Sequence, residues 1–142
     1  MTDIHVDDFY RDTAKTLVLL YNNFPRQQTL YVEDIAGPDT PDEFGLHSKR
    51  HEAGLNTLLW LANSDYLTYT SLIKREALED VCLSHRTFIL LNSAAQEQQL
   101  EHNHPHGSEQ LLINRLRREL KSGSSASLAL LVRELMVLSR GV

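Results

Sequence analysis

The stretch His51-Glu-Ala-Gly-Leu-Asn-Thr-Leu-Leu-Trp-Leu-Ala-Asn-Ser-Asp-Tyr-Leu-Thr-Tyr69 contains one helix, a polar turn and the start of a strand. Ser48 precedes it as an N-cap, with Glu52 in the first turn. The polar residues 63–65 end the helix, and the alternation over residues 66–70 favours a strand. The apolar residues of the helix have the spacing of a single buried face: Leu55, Leu58, Leu59, Leu61 and Ala62.

Upstream of this stretch, the sequence predicts one long helix and one short strand. Residues 6–24 have the spacing of an amphipathic helix, and acidic residues in its first turns suit the helix dipole. Residues 29–32, Thr-Leu-Tyr-Val, include two β-branched residues and one aromatic residue and predict a short strand. Residues 36–45 contain two glycines and two prolines, so we expect a loop there, with at most one helical turn around residues 42–44.

Downstream, residues 77–83 predict the second strand of a hairpin whose loop spans residues 71–76. Ser84 is expected to cap a helix that continues to about residue 100. A break at residues 103–107 is followed by two predicted helices, at residues 108–121 and 127–139, and Gly123 lies between them as a C-terminal cap.

This order of elements resembles that of a winged-helix domain, over roughly residues 6–95. Residues 51–69 resemble the end of the third helix in many bacterial winged-helix proteins, with Asp65 where that family often has glycine before the tyrosine. Residues 81–91 resemble the usual junction of the third strand with a closing helix, with Ser84 as the cap and the glycine of that motif absent.

The resemblance implies an α+β, mostly helical chain. We expect a winged helix-turn-helix domain over residues 1–100, followed by a C-terminal two-helix extension over residues 101–142. One departure concerns the segment between the first strand and Ser48. The second helix of a helix-turn-helix belongs there, but the segment is rich in glycine and proline, which argues against standard major-groove docking.

Composition narrows the classes of protein to consider. The 142 residues are 42% hydrophobic, enough for a folded core, and the single cysteine, Cys82, excludes an internal disulfide and a cysteine-cluster zinc site. No run approaches the roughly 18 apolar residues of a membrane span. Residues 1–8 lack the apolar block of a secretory signal, so cytoplasmic residence is expected.

The charge is unevenly distributed along the chain. The net charge of −5 argues against a general nucleic-acid binder, because phosphate contacts need clustered cations. Lys and Arg number 3 against 9 acidic residues in residues 1–45, 5 against 6 in residues 46–100, and 6 against 4 in residues 101–142.

Two short basic groups are the DNA contacts that the resemblance implies. The first is Ser48, Lys49, Arg50 and His51, at the start of the presumed recognition helix, whose N-terminal residues would meet base edges and phosphate. The second is Lys74 and Arg75 at the hairpin tip, which would contact backbone phosphate. The alternative is an ordinary solvated helix start, with Ser48 acting only as a cap, and a hairpin tip charged for solubility.

Metal binding and catalysis are not expected. The linker histidines His102, His104 and His106 suggest metal ligands, but Pro105 restricts the backbone and no second ligand cluster appears at a typical spacing. We therefore predict no cofactor. Cys82, on a predicted strand, is interpreted as a small buried hydrophobe, and no catalytic motif is present, so an enzyme is not expected.

The last helix is apolar on most of its circumference and must be buried. We expect a twofold homodimer in which the C-terminal helices pack against their mates. The alternative is that they fold back onto the first helix of the same chain. The residues predicted to form the dimer interface are Leu128, Leu131, Val132, Leu135 and Met136.

Two functional hypotheses follow. The first is a homodimeric winged-helix protein that binds double-stranded DNA, a bacterial transcriptional regulator. The second is a winged-helix protein-interaction module, or a subunit of a larger assembly, that does not bind DNA directly. A continuous positive face joining Lys49, Arg50, Lys74 and Arg75 favours DNA, whereas an acidic or apolar face there favours a protein partner.

Overall fold

The computed structural model describes residues 4–94 and 110–141. The chain is α+β and mostly helical, with a small antiparallel sheet, an architecture compatible with a winged helix. The first part comprises α1 (Ile4–Asn23), β1 (Gln28–Tyr31), α2 (Val32–Ala36), α3 (Lys49–Asn63), β2 (Leu67–Thr68), β3 (Ser71–Ile73), β4 (Ala77–Leu83) and α4 (His85–Leu91). The second comprises α5 (Leu112–Ser122), α6 (Ser125–Leu138) and a 3₁₀ turn (Ser139–Gly141).

The central strand of the sheet is β4. It pairs antiparallel with β1 along one edge and with β2 and β3 along the other. Leu78 marks the centre because it lies opposite Leu30 of β1 and Leu72 of β3. Leu30 and Leu78 are fully buried, so this face of the sheet is covered by the helices.

Helix α1 lies at the centre of the helical layer. Its buried face, which includes Leu17 and Leu20, packs against α3, α5 and α6. The buried residues of α5 and α6 belong to the same hydrophobic cluster as those of α1, α3 and the sheet. The C-terminal helices therefore share one core with the first part of the chain.

This packing corresponds to the fold-back alternative for the C-terminal helices. Four of the five residues predicted to form a dimer interface are buried within their own chain, and the fifth, Met136, packs partly buried against the same core. The four are Leu128, Leu131, Val132 and Leu135. A homodimer remains a prediction, and a dimer formed through α6 would use its outer face, where Leu130 and Val137 are exposed.

Several predicted elements differ from the observed ones in extent. Val32 begins α2 instead of ending β1, because Val32 and Ile35 bury one side of a short helix. The predicted hairpin loop over residues 71–76 is shorter, since Ser71–Ile73 pairs with β4 as β3. Helix α4 ends at Leu91 with Asn92 as its C-cap, well before residue 100. The linker histidines His102, His104 and His106 lie outside the described residues.

Helices α2 and α3 cross at Gly54. A Cβ atom at this position would lie 2.9 Å from the Cβ of Ala36 and 3.3 Å from Cγ1 of Val32, closer than ordinary van der Waals contact. The missing side chain of Gly54 thus lets the short helix α2 pack directly on α3. The contact holds the start of the 37–48 loop against the domain.

Replacing Gly54 by alanine tests this crossing. Alanine favours a helix interior by about 1 kcal/mol over glycine, but overpacking costs about 1–3 kcal/mol. We expect Gly54→Ala to lower the free energy of unfolding by about 1 kcal/mol in urea denaturation. Ala36→Gly in the same chain removes the opposing methyl group and should recover the loss. A Gly54→Ala protein more stable than the parent would contradict the close crossing.

Candidate functional site

The surface predicted to bind DNA comprises the start of α3 and the hairpin tip between β3 and β4. Ser48 caps α3, its Oγ accepting a hydrogen bond from the backbone N–H of His51 at 3.2 Å. Lys49 follows as the first helical residue, and its side chain is exposed. The predicted N-terminus of this helix is therefore confirmed to the residue.

Arg50 points toward α1 and into the protein. Its Nη1 and Nη2 donate to Oδ2 and Oδ1 of Asp12 at 2.8 and 2.6 Å, and its Nε lies 3.6 Å from Oδ2 of Asp8. The Asp12 side chain is fully buried. Burial raises the pKa of Asp12 despite the opposing hydrogen bond from Arg50, and the bond to Asp12 raises the pKa of Arg50. Arg50 is thus the counter-ion of a buried carboxyl group.

His51 is also turned inward. Only 4% of its surface is exposed, and its Nε2 lies 3.0 Å from the backbone oxygen of Arg75 at the hairpin tip. Its ring stacks on that of His47, with centroids 3.8 Å apart and planes at 10°. His51 therefore joins α3 to the hairpin, and its ring is covered by these neighbours.

The hairpin tip turns through Lys74 and Arg75, which both have positive φ angles, 48° and 60°. Arg75 forms an ion pair with Glu52 of α3, and a second hydrogen bond joins its Nε to Oε1 of Glu52 at 3.3 Å. This pairing lowers the pKa of Glu52 and raises that of Arg75. Lys74 is exposed, with no ion pair seen among the described residues.

The structure thus separates the six predicted DNA-contact residues into two kinds. Two of them, Lys49 and Lys74, present exposed ammonium groups. The other four have roles within the chain: Ser48 caps a helix, Arg50 pairs with Asp12, His51 joins α3 to the hairpin, and Arg75 pairs with Glu52.

An acidic loop adjoins this surface, and its order was not expected from the sequence. Between Arg26 and Lys49 the chain has five acidic residues and no lysine or arginine. Asp42 organises the loop: its Oδ1 accepts hydrogen bonds from the backbone N–H groups of Phe44 and Leu46, both at 2.9 Å. The backbone of Asp42 also bonds to Gly45 and Leu46, at 2.9 Å each, so the segment closes as a turn and not as a helical turn.

This turn presents two apolar side chains to solvent. Phe44 is 78% exposed and Leu46 is 64% exposed. Gly45 between them has a φ of 79°, which glycine adopts without strain. An aspartate two residues before Phe44 is the sequence signal for such a side-chain-capped turn. The glycines and prolines of residues 36–45 predict a loop here but not its hydrogen bonds.

Asp39 fastens the loop to the start of α3. Its Oδ2 accepts hydrogen bonds from the backbone N–H of Ser48 at 3.1 Å and faces Nδ1 of His47 at 2.8 Å. Hydrogen bonds from Ser48 and His47 lower the pKa of Asp39 to about 2, so the carboxylate is ionised at neutral pH. On the other side of His47, Nε2 lies 3.5 Å from Oε1 of Glu76.

The outer face of α3 carries few cations. Beyond Lys49, its exposed residues include Asn56, Trp60 and Asn63. Trp60 is 44% exposed and packs edge-on against Phe9, with ring centroids 5.2 Å apart. A continuous positive face would favour DNA, but the outer face of α3 carries polar, apolar and basic side chains. The adjoining 37–48 loop is acidic and exposes apolar side chains.

Comparisons with protein-family models, with curated proteins and with solved structures find no match for this chain. None of the described helices combines the length and the apolar character needed to cross a membrane.

Cys82, expected to be buried, is half-buried, and its Sγ lies 3.5 Å from the backbone oxygen of Pro25.

The role of Arg50 as an internal counter-ion predicts a large effect on stability. Arg50→Ala leaves Asp12 buried without a partner and should cost about 3–5 kcal/mol in urea denaturation. Replacing both residues, Asp12→Leu with Arg50→Met, should restore most of that loss, because no charge is then left buried.

Arg75→Ala is the matched control for Arg50→Ala. Both side chains of this pair are partly hydrated, so the free energy of unfolding should change much less than it does in Arg50→Ala. An Arg50→Ala protein as stable as Arg75→Ala would contradict the buried pair.

Proposed function

We propose that this chain is a protein-interaction module with a winged-helix-like architecture, whose acidic 37–48 loop docks a basic, partly apolar segment of a partner protein. The observation that carries the proposal is the ordered turn at Asp42, which holds Phe44 and Leu46 outward beside exposed acidic residues. Two cations close to the loop in the chain or in the fold are paired with other acidic residues, Arg50 with Asp12 and Arg75 with Glu52.

Charge complementarity supports a basic partner. Glu33, Asp34, Asp42 and Glu43 are all exposed on α2 and the loop. In a helix-turn-helix the corresponding region approaches DNA phosphates, and negative charge there opposes binding. The same charge attracts a segment rich in lysine or arginine and orients it during encounter.

The apolar residues supply the contact area. An exposed phenylalanine or leucine alone is unremarkable, but Phe44 and Leu46 are held by hydrogen bonds within one turn. An ordered turn loses little conformational entropy on binding, so most of the energy of burying these two side chains is available for affinity. The pair has the character of an interface anchor surrounded by a charged rim.

DNA binding is the second candidate function, and a separate observation favours it. Lys49 and Lys74 are exposed, one at the start of α3 and the other at the hairpin tip, where a winged-helix protein contacts phosphate. In this case the chain would act as a homodimeric transcriptional regulator. The two candidates require different surfaces, so variants of each surface distinguish them.

The experiment compares two double variants, each of which replaces two exposed apolar side chains by serine. Phe44→Ser with Leu46→Ser removes the apolar anchors of the loop, and Leu130→Ser with Val137→Ser makes the same change on the exposed face of α6. Partners cross-linked to each protein in cell extract are quantified by mass spectrometry. We expect a partner with a basic segment whose yield falls at least about tenfold with the loop variant and is unchanged with the α6 variant.

DNA binding is measured in parallel by fluorescence anisotropy with duplex DNA at low and moderate salt. The docking proposal predicts no binding at low salt, where phosphate contacts are strongest. Binding that weakens steeply with salt and disappears in Lys49→Ala with Lys74→Ala would replace the proposal by the DNA-binding candidate. A cross-linked partner retained equally by the loop variant would also contradict docking on the loop.

A further inference from the structure

A cleft of about 170 Å³ lies between the start of α3, the acidic loop and the hairpin tip. Its lining includes Asp39, His47, His51, Glu33 and Glu76, and none of the described lysine or arginine residues belongs to it. Imidazole and carboxylate groups facing one cleft are the ligands that zinc and related transition metals prefer. The exposed side chain of Phe44 is not part of this lining.

His51 lines this cleft, and one of its ring nitrogens has no hydrogen-bond partner among the described residues. The backbone oxygen of Arg75 can only accept a hydrogen bond, so Nε2 of His51, 3.0 Å away, carries a hydrogen. In the neutral ring, Nδ1 then holds a lone pair. Nδ1 is buried and has no hydrogen-bond partner among the described residues. More than nine-tenths of the His51 surface is buried as well, so solvent does not readily supply a partner.

A buried lone pair without a donor is costly, and metal coordination would satisfy it. The hydrogen bond to the Arg75 carbonyl is also the arrangement that typically supports a metal-binding histidine, because it fixes the tautomer and the orientation of the ring. The position of His51 therefore points to a ligand independently of the nearby acidic residues.

Asp39 and His47 supply two further ligand atoms. One ring nitrogen of each histidine and one carboxylate oxygen of Asp39 lie within 4.8 Å of one another. Bonds of about 2.0–2.2 Å to zinc place tetrahedral ligand atoms about 3.3 Å apart, so the ligand atoms must approach one another by up to about 1.5 Å. The His47 ring must also turn out of its stack on His51, because each imidazole binds through a lone pair in its ring plane. Asp39 and His47 are on the loop, so their side chains can move without displacing α3.

We propose that Asp39, His47 and His51 bind one divalent transition-metal ion, zinc or a cation of similar preference, with water completing the coordination. Two imidazoles and a carboxylate with an open fourth position match known zinc sites with three protein ligands. The imidazole ligands select against magnesium and calcium, which prefer oxygen.

The surrounding charge favours a cation. Glu33 and Glu76 add two carboxylates at the cleft, beyond that of Asp39. The positive end of α3 opposes a cation here, but Asp39 already accepts the N–H of Ser48 at that end. The net local charge is negative, as a divalent ion requires.

Metal binding would also restrain the loop. Residues 40–46 lie between the ligands Asp39 and His47, so coordination at both positions fastens the two ends of the Asp42 turn. This consequence concerns the mobility of the loop and holds whether or not the loop docks a partner.

The test uses the full chain after treatment with a chelator and dialysis. Zinc binding is measured by calorimetry, and Co²⁺ is added to follow the visible absorption of the bound ion. His47→Gln and Asp39→Asn remove ligands, whereas His85→Gln replaces an exposed histidine on α4. A further control replaces His102, His104 and His106 by glutamine together. Circular dichroism without metal shows which variants fold.

We expect one zinc ion per chain, an affinity reduced at least about tenfold in His47→Gln and Asp39→Asn, and unchanged affinity in both controls. Zinc should also slow chymotrypsin cleavage after Phe44, as followed by mass spectrometry. For the parent chain, ¹⁵N NMR of the histidine rings should show two rings shifting with zinc, which keeps the test valid if a variant fails to fold.

Binding that is lost in the triple His102, His104 and His106 variant, and kept in His47→Gln, would overturn the proposal. The absence of zinc binding by the folded parent chain would do so as well.

Discussion

The carboxyl group of Asp12 is fully buried on α1, and it requires a cation from elsewhere in the chain. Arg50, in the first turn of α3, supplies that cation through two hydrogen bonds. The pair fixes the rotation of α3 against α1, since turning the helix would leave one charge buried alone. The side chains that follow Arg50 therefore have set directions: His51 faces the hairpin, and Glu52 faces Arg75.

This constraint removes one cation from the surface at the start of α3. Of the four cations in the predicted DNA-contact set, Arg50 is paired with Asp12 and Arg75 with Glu52. Lys49 and Lys74 remain exposed beside the acidic loop, whose turn at Asp42 exposes Phe44 and Leu46. The same orientation places His51 beside His47 and Asp39. The proposed docking surface and the candidate metal cleft thus both adjoin a helix start that one buried ion pair orients.

Local signals in the sequence predicted the elements well, because caps and apolar periodicity involve neighbouring residues. Ser48 and Ser84 cap α3 and α4 as expected, and β4 spans the predicted residues. The functions of individual cations were not predictable, because the partner of Arg50 lies 38 residues away. Similarly, the apolar periodicity of α6 predicts that Leu131 and Leu135 are buried, as they are. It does not predict whether α1 of the same chain or a second chain covers them.

The most direct test of the central ion pair is NMR of its two members, following the carboxyl carbon of Asp12 and the guanidinium nitrogens of Arg50 during a pH titration. The pKa of Asp12 should lie above its ordinary value, since burial outweighs the bond to Arg50, while that of Asp39 lies at about 2. The guanidinium hydrogens of Arg50 should exchange slowly with water. An Asp12 that titrates at its ordinary pKa, with an Arg50 in rapid exchange, would contradict the account.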